Sequence, residues 1–159
     1  MTAGNRPKIG LRRQSEAGAS AVEFALVMPL LLVLLFGIFG FGKIFAQELA
    51  LGNGARQAAR FGVVPDRICQ EILDELQASA GTIGMAGSSV TMSVRLGATE
   101  ATSSPRCANG SEEPCHESES GDNLYLEARF TSSLMIPLSP VGDPDFHLAG
   151  VGVFRCEFS

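Results

Sequence analysis

The chain has 159 residues, enough for one domain and too few for two. Hydrophobic residues make up 45% and charged residues only 18%, which excludes a disordered polyelectrolyte, and a formal net charge of -5 excludes an overall basic nucleic-acid binder. The charge is unevenly laid out. Arg6, Lys8, Arg12 and Arg13 against Glu16 give +3 over residues 1–16, residues 17–60 carry +1, and residues 61–159 carry -9. A basic head, an apolar neck and an acidic body follow.

From Phe24 to Gly42 no residue is charged, and Leu, Phe, Val, Ile and Gly dominate the 19 positions. At about 1.5 Å rise per residue such a helix nearly spans the ~30 Å hydrocarbon core of a bilayer. A helix apolar on every face has no solvated side, and the roughly one hundred residues that follow could hardly enclose it. The expectation is a transmembrane helix, with Pro29 producing a kink near one membrane face. Retention of Arg and Lys on the cytoplasmic side places the N-terminus inside and the acidic body outside. Gly37, Gly42 and Lys43 match part of a phosphate-binding loop, but Ile44 stands where a hydroxyl must hold magnesium, and the match lies inside the apolar run. Nucleotide binding is not expected.

Glu23 sits directly before the uncharged run. A carboxylate there either reaches the interface or needs a partner. Gly18 lies five positions upstream, so the stretch reads GASAVEFALV behind a basic segment. This layout resembles a type IV prepilin processing site, in which a membrane peptidase cuts after the glycine and leaves glutamate as the fifth mature residue. The resemblance implies a cleaved leader 1–18, a processing site of Gly18, Ala19, Glu23 and Phe24, and a mature chain that keeps its apolar helix. It also implies that Glu23 pairs with the new amine of a neighbouring subunit.

The wider stretch GASAVEFALVMPLLLVLLFGIFGFGKIFAQELALGNGARQAARFG, about residues 17–62, resembles the TadE-like family, minor pseudopilins of the tight-adherence (Flp pilus) apparatus. Glu23-Phe24, Pro29 before the leucine run, Ala46-Gln47, Leu51, Asn53, Ala55-Arg56 and Ala59-Arg60 carry the resemblance. Gly40 stands where many members have an acidic residue, so no role of that carboxylate transfers. The implied partners are a prepilin peptidase, pilus-assembly membrane proteins, other pilin-like subunits and the bilayer, with no nucleic acid. The implied location is the bacterial inner membrane, single-pass, with the C-terminal domain in the periplasm and possible entry into a surface pilus.

Independently of the family, Ile44, Leu51, Ala55 and Ala58-Ala59 recur near helical spacing, so residues 19–60 read as the membrane helix and its extension. Gly52 and Gly54 predict a bend or break there. Arg56 and Arg60, four apart, form either a solvated stripe or a contact face for partner subunits.

Residues 61–159 read as an exported α+β domain: one helix over a small antiparallel sheet, pilin-like in outline. The stretch DRICQEILDELQASAG predicts an amphipathic helix ending at Gly81, with Ile68, Ile72, Leu73 and Leu76 on one side. Alternation predicts strands over 89–96, 124–131 and within 146–158. Between the first two, residues 98–122 read as a surface loop; its carboxylates Glu112, Glu113, Glu117, Glu119 and Asp122 have no calcium-loop spacing.

Cys69, Cys107, Cys115 and Cys156 all lie on the exported side and suggest two disulfides with three possible pairings. The preferred pairing is Cys107 with Cys115 and Cys69 with Cys156. Zinc held by Cys107, Cys115 and His116 lacks a fourth ligand, so neither a metal nor another cofactor is expected. His116 and His147 have no nucleophile beside them in sequence and Tyr125 reads as an outward strand residue, so the chain reads as an assembly component rather than an enzyme. The alternatives are an uncleaved single-pass protein with an exported, disulfide-bonded binding domain, and a secreted protein cut after Ala46.

Overall fold

A computed structural model describes residues 12–81, 90–134 and 142–156. The first helix, α1, is continuous over Arg12–Gly62 and contains Pro29. A second helix, α2, covers Cys69–Ala80, and four strands follow: β1 Thr91–Gly97, β2 Ser104–Arg106, β3 Asn123–Ser133 and β4 Asp145–Arg155. All pairings are antiparallel, in the order β2-β1-β3-β4. The fold is therefore α+β, a long apolar N-terminal helix followed by a helix and a four-stranded sheet.

The alternation seen in the sequence selects the buried face. Val94 and Leu96 on β1, Leu124, Leu126, Ala128 and Phe130 on β3, and Leu148 on β4 point into one core. That core is completed by Ile72, Leu76 and Ala80 of α2 and by Ile44, Leu51, Ala55, Ala58 and Ala59 of α1. The opposite face stays accessible: Tyr125 is half-buried, in register with Arg95 and Val153. Within Phe39–Ser159 the end of α1 thus belongs to the folded body, while residues up to Ile38 form a separate unit.

The register of α1 on the sheet depends on two glycines of β4. A Cβ on Gly150 would stand 2.6 Å from the carbonyl oxygen of Leu51, and one on Gly152 would collide with that of Ala55. Without side chains at either position, β4 approaches the helix backbone directly, opposite the small residues Ala55 and Ala59.

Three expectations change. The helix is not broken at Gly52 or Gly54; a Cβ on Gly54 would lie 3.1 Å from Ser79 Oγ, so this glycine admits α2 rather than ending α1. Residues 98–122 stay largely at the surface but are not all loop: they contain a short helical turn at Glu100–Thr102 and strand β2, and Gly110 and Glu112 accept backbone bonds from Gln70 and Cys69 at 2.8 Å each. The disulfides join Cys69 to Cys107 and Cys115 to Cys156, with Cα separations of 5.5 and 5.9 Å, in place of the preferred pairing. That preference assumed a self-contained loop, whereas the loop is anchored at one cysteine to α2 and at the other to the end of β4. Residues 1–11, Ser89, and Glu157 and Phe158 at the end of the expected last strand lie outside the described residues.

Candidate functional site

Helix α1 carries the chemistry the sequence singled out, and its two parts have different surroundings. From Gly18 through Phe36 every residue is exposed, including Phe24 at 65% and Leu26 at 76%. The stretch is long and apolar enough to cross a membrane, and none of its most apolar window is buried. That separates it from the core helix of a soluble protein, which buries such a surface. Gly18, Ala19 and Glu23 share this accessible stretch, and nothing lies within 4 Å of a Cβ built on Gly18. Glu23 and Lys43, both exposed, bracket the uncharged run.

From Ile44 the same helix becomes amphipathic. Ile44, Gln47, Leu51, Ala55 and Ala58 are buried, while Phe45, Glu48, Leu49, Asn53, Arg56, Gln57 and Arg60 are exposed. Gln47 is only 1% exposed and accepts a 2.6 Å hydrogen bond from Ser132 Oγ of β3. The sequence reading passed over its structural role, although Gln47 stands in phase with Ile44 and Leu51, three and four residues away.

Arg56 and Arg60 lie together on the solvent side. Arg56 Nη1 donates to Asn53 Oδ1 at 3.2 Å, and beside it Gln57 Nε2 donates to Glu75 Oε1 of α2 at 2.8 Å. Both arginines line an open groove of about 660 Å³ together with Gln57, Phe61, Val64, Glu75 and Phe154. The Glu75 carboxylate lines the same groove, so its rim carries both signs of charge over an apolar floor.

The acidic segment is held by its own groups. Glu112 Oε2 accepts from the Ala108 amide and Asp122 Oδ2 from the Glu119 amide, each at 3.0 Å, so these carboxylates close local turns. Cys107 and Glu117 adopt left-handed backbone, with φ of 63° and 59°, uncommon for residues with a Cβ. Cys107 is fixed by its bond to α2 and Cys115 by its bond to Cys156, so neither thiol is free to bind zinc with His116. His147 is bonded to Thr131 across β3 and β4 at 3.2 Å.

Residues 18–60 match the family model described as TadE-like protein. This coincides with the segment on which the sequence resemblance rests, and it suggests a component associated with the Tad/Flp pilus apparatus, structural rather than catalytic in kind. No curated protein and no solved structure matches the chain.

Proposed function

We propose that this TadE-like chain is a minor pilin-like (pseudopilin) subunit for assembly of Flp/tight-adherence pili, matured by a prepilin peptidase between Gly18 and Ala19. The observation that carries the reading is the joint placement on one helix of Gly18, Glu23 and an uncharged apolar run whose residues are all exposed from Phe24 through Phe36. Cleavage ahead of the run leaves the anchor on the mature protein, unlike removal of a secretory signal. Gly18 is the weakest helix former around the scissile bond, which lowers the cost of unwinding the chain into a peptidase.

In this reading the N-terminus is cytoplasmic and the body periplasmic, a side where two disulfides persist. Ala19 and Glu23 lie about 6 Å apart along the axis, four residues at the rise of a helix. A neighbouring copy displaced by about that length brings its amine to the Glu23 carboxylate and offsets the cost of taking that charge out of water. Arg56 and Arg60 contact other pilin-like subunits from the body.

Intact-mass measurement on membrane-extracted protein tests maturation. The expected N-terminus is Ala19. A start at Met1 in a host with the peptidase overturns it and leaves an uncleaved single-pass protein with a disulfide-bonded binding domain; a start at Gln47 indicates a secreted one. Glu23→Gln is expected to be cleaved and to assemble poorly, and normal assembly of that variant rejects the pairing.

A further inference from the structure

The body contains two Asn-Gly pairs, Asn53-Gly54 and Asn109-Gly110, and the fold gives them opposite surroundings. Asparagine is a chemically labile residue. It is most labile before glycine, because the backbone nitrogen that attacks its side chain then belongs to a residue with no Cβ to block the approach. In sequence the two pairs are equivalent.

Gly54 lies inside α1, where its amide is held by the carbonyl of Ala50, and the Asn53 side chain accepts a bond from Arg56 Nη1 at 3.2 Å. Attack there requires the helix to open. Asn109 and Gly110 instead stand in an exposed turn that runs from Ala108 to Ser111. Among the described residues the Gly110 amide has no acceptor and the Asn109 side chain has no partner. The carbonyls of the same two residues are engaged: that of Gly110 accepts from the Gln70 amide at 2.8 Å, and that of Asn109 from the Glu112 amide at 3.2 Å.

We propose that Asn109 is a self-modification site, converted through a cyclic imide to aspartate and isoaspartate, and that the isoaspartyl form loosens the hold of this segment on α2. The Gly110 amide nitrogen gives its proton to hydroxide and attacks Cγ of Asn109. The N–Cγ bond forms, the Cγ–Nδ2 bond breaks, and the side-chain nitrogen takes up a proton and leaves as ammonia. Water then opens the five-membered ring. Addition at Cγ leaves aspartate on the original backbone; addition at the main-chain carbonyl leaves isoaspartate, with the chain running through Cβ and Cγ. Water is the only co-reactant.

Isoaspartate inserts one more carbon into the backbone ahead of Gly110 and turns the Asn109 carbonyl, the acceptor of the Glu112 amide, into part of a free carboxylate. The new charge arises beside Glu112, whose own carboxylate closes this turn on the Ala108 amide at 3.0 Å, and like charges at that range repel. Both changes displace the Gly110 and Glu112 carbonyls from the Gln70 and Cys69 amides. The Cys69–Cys107 bridge keeps the segment attached, so the loosening is confined to the start of α2.

The test uses the full chain in detergent with both bridges intact, held at mildly alkaline pH and sampled over time by peptide mass mapping. Isoaspartate is read by methyl transfer from a protein isoaspartyl methyltransferase. Asn109 is expected to convert to the acid, faster as pH rises, while Asn53 stays an amide; in the reduced, denatured chain both convert. Gly110→Ala adds a Cβ that meets only the Gln70 side chain, at 3.2 Å, so this variant is expected to keep both bridges and to convert several-fold more slowly. Amide exchange at Cys69 and Gln70 is expected to be faster in the converted fraction than in fresh protein. Survival of Asn109 in the folded chain while the denatured chain converts overturns the site. Equal conversion of Asn53 and Asn109 in the folded chain overturns selection by the fold, and unchanged exchange at Cys69 and Gln70 overturns the loosening.

Discussion

Gln47 and the β4 glycines show how single residues decide the docking of α1. The Gln47 amide and the Ser132 hydroxyl are both buried, and removing the Gln47 side chain takes away the acceptor of the Ser132 hydroxyl at a cost of roughly 1–3 kcal/mol. Gln47→Ala is therefore expected to lower the unfolding midpoint in detergent. A double-mutant cycle with Ser132→Ala should show coupling between the two. Gly152→Val places a branched side chain into the Ala55 carbonyl and is expected to prevent native docking, read as loss of protease resistance. Gly52→Ala is the counterpart: nothing lies within 4 Å of its added Cβ, and the gain should be up to about 1 kcal/mol from helix propensity. Gly52 and Gly152 are alike in the sequence. Their opposite roles depend on which backbone lies opposite, and the sequence does not record that.

At the level of elements, periodicity carried most of the architecture. The amphipathic helix ends at Ala80 with Gly81 as its cap, and the three alternating strands appear on the expected segments, extended to Gly97 and Ser133 in β1 and β3. Strand β2 has only three residues, Ser104, Pro105 and Arg106, too few for alternation to be read. It sits at the sheet edge, where a proline is tolerated. The disulfide pairing was equally hidden, because it depends on segment 98–122 folding back over α2. Non-reducing peptide mapping is expected to recover peptides linking 69 with 107 and 115 with 156. The bridges span 38 and 41 residues, and each should stabilise by roughly 4 kcal/mol if restricting the unfolded chain were the whole effect. Cys69→Ser with Cys107→Ser is expected to free the segment and raise amide exchange at Cys69 and Gln70 positions, whose amides bond to it.

At the scale of the whole molecule, two units share one helix, which is exposed and apolar in the first and packed into the core of the second. Residues 39–159 contain the core, both disulfides and α2, so a chain beginning at Phe39 is expected to fold with both bridges formed and to be released from membranes by alkaline carbonate. The full chain should resist that extraction; release would argue against a spanning helix. Taken alone, the sequence determined what needs only local order: an uncharged run of 19 residues, a glycine five positions before a glutamate, cysteines confined to one side of that run, and strands with a period of two. Tertiary structure decided what depends on distant residues meeting: which cysteines pair, why Gly150 and Gly152 carry no side chain, how Gln47 is satisfied, and that Leu134, just past β3, packs on Gly40. The physical reason is that hydropathy and periodicity are properties of neighbours in the chain. Close approach, hydrogen-bond satisfaction and disulfide geometry are properties of neighbours in space.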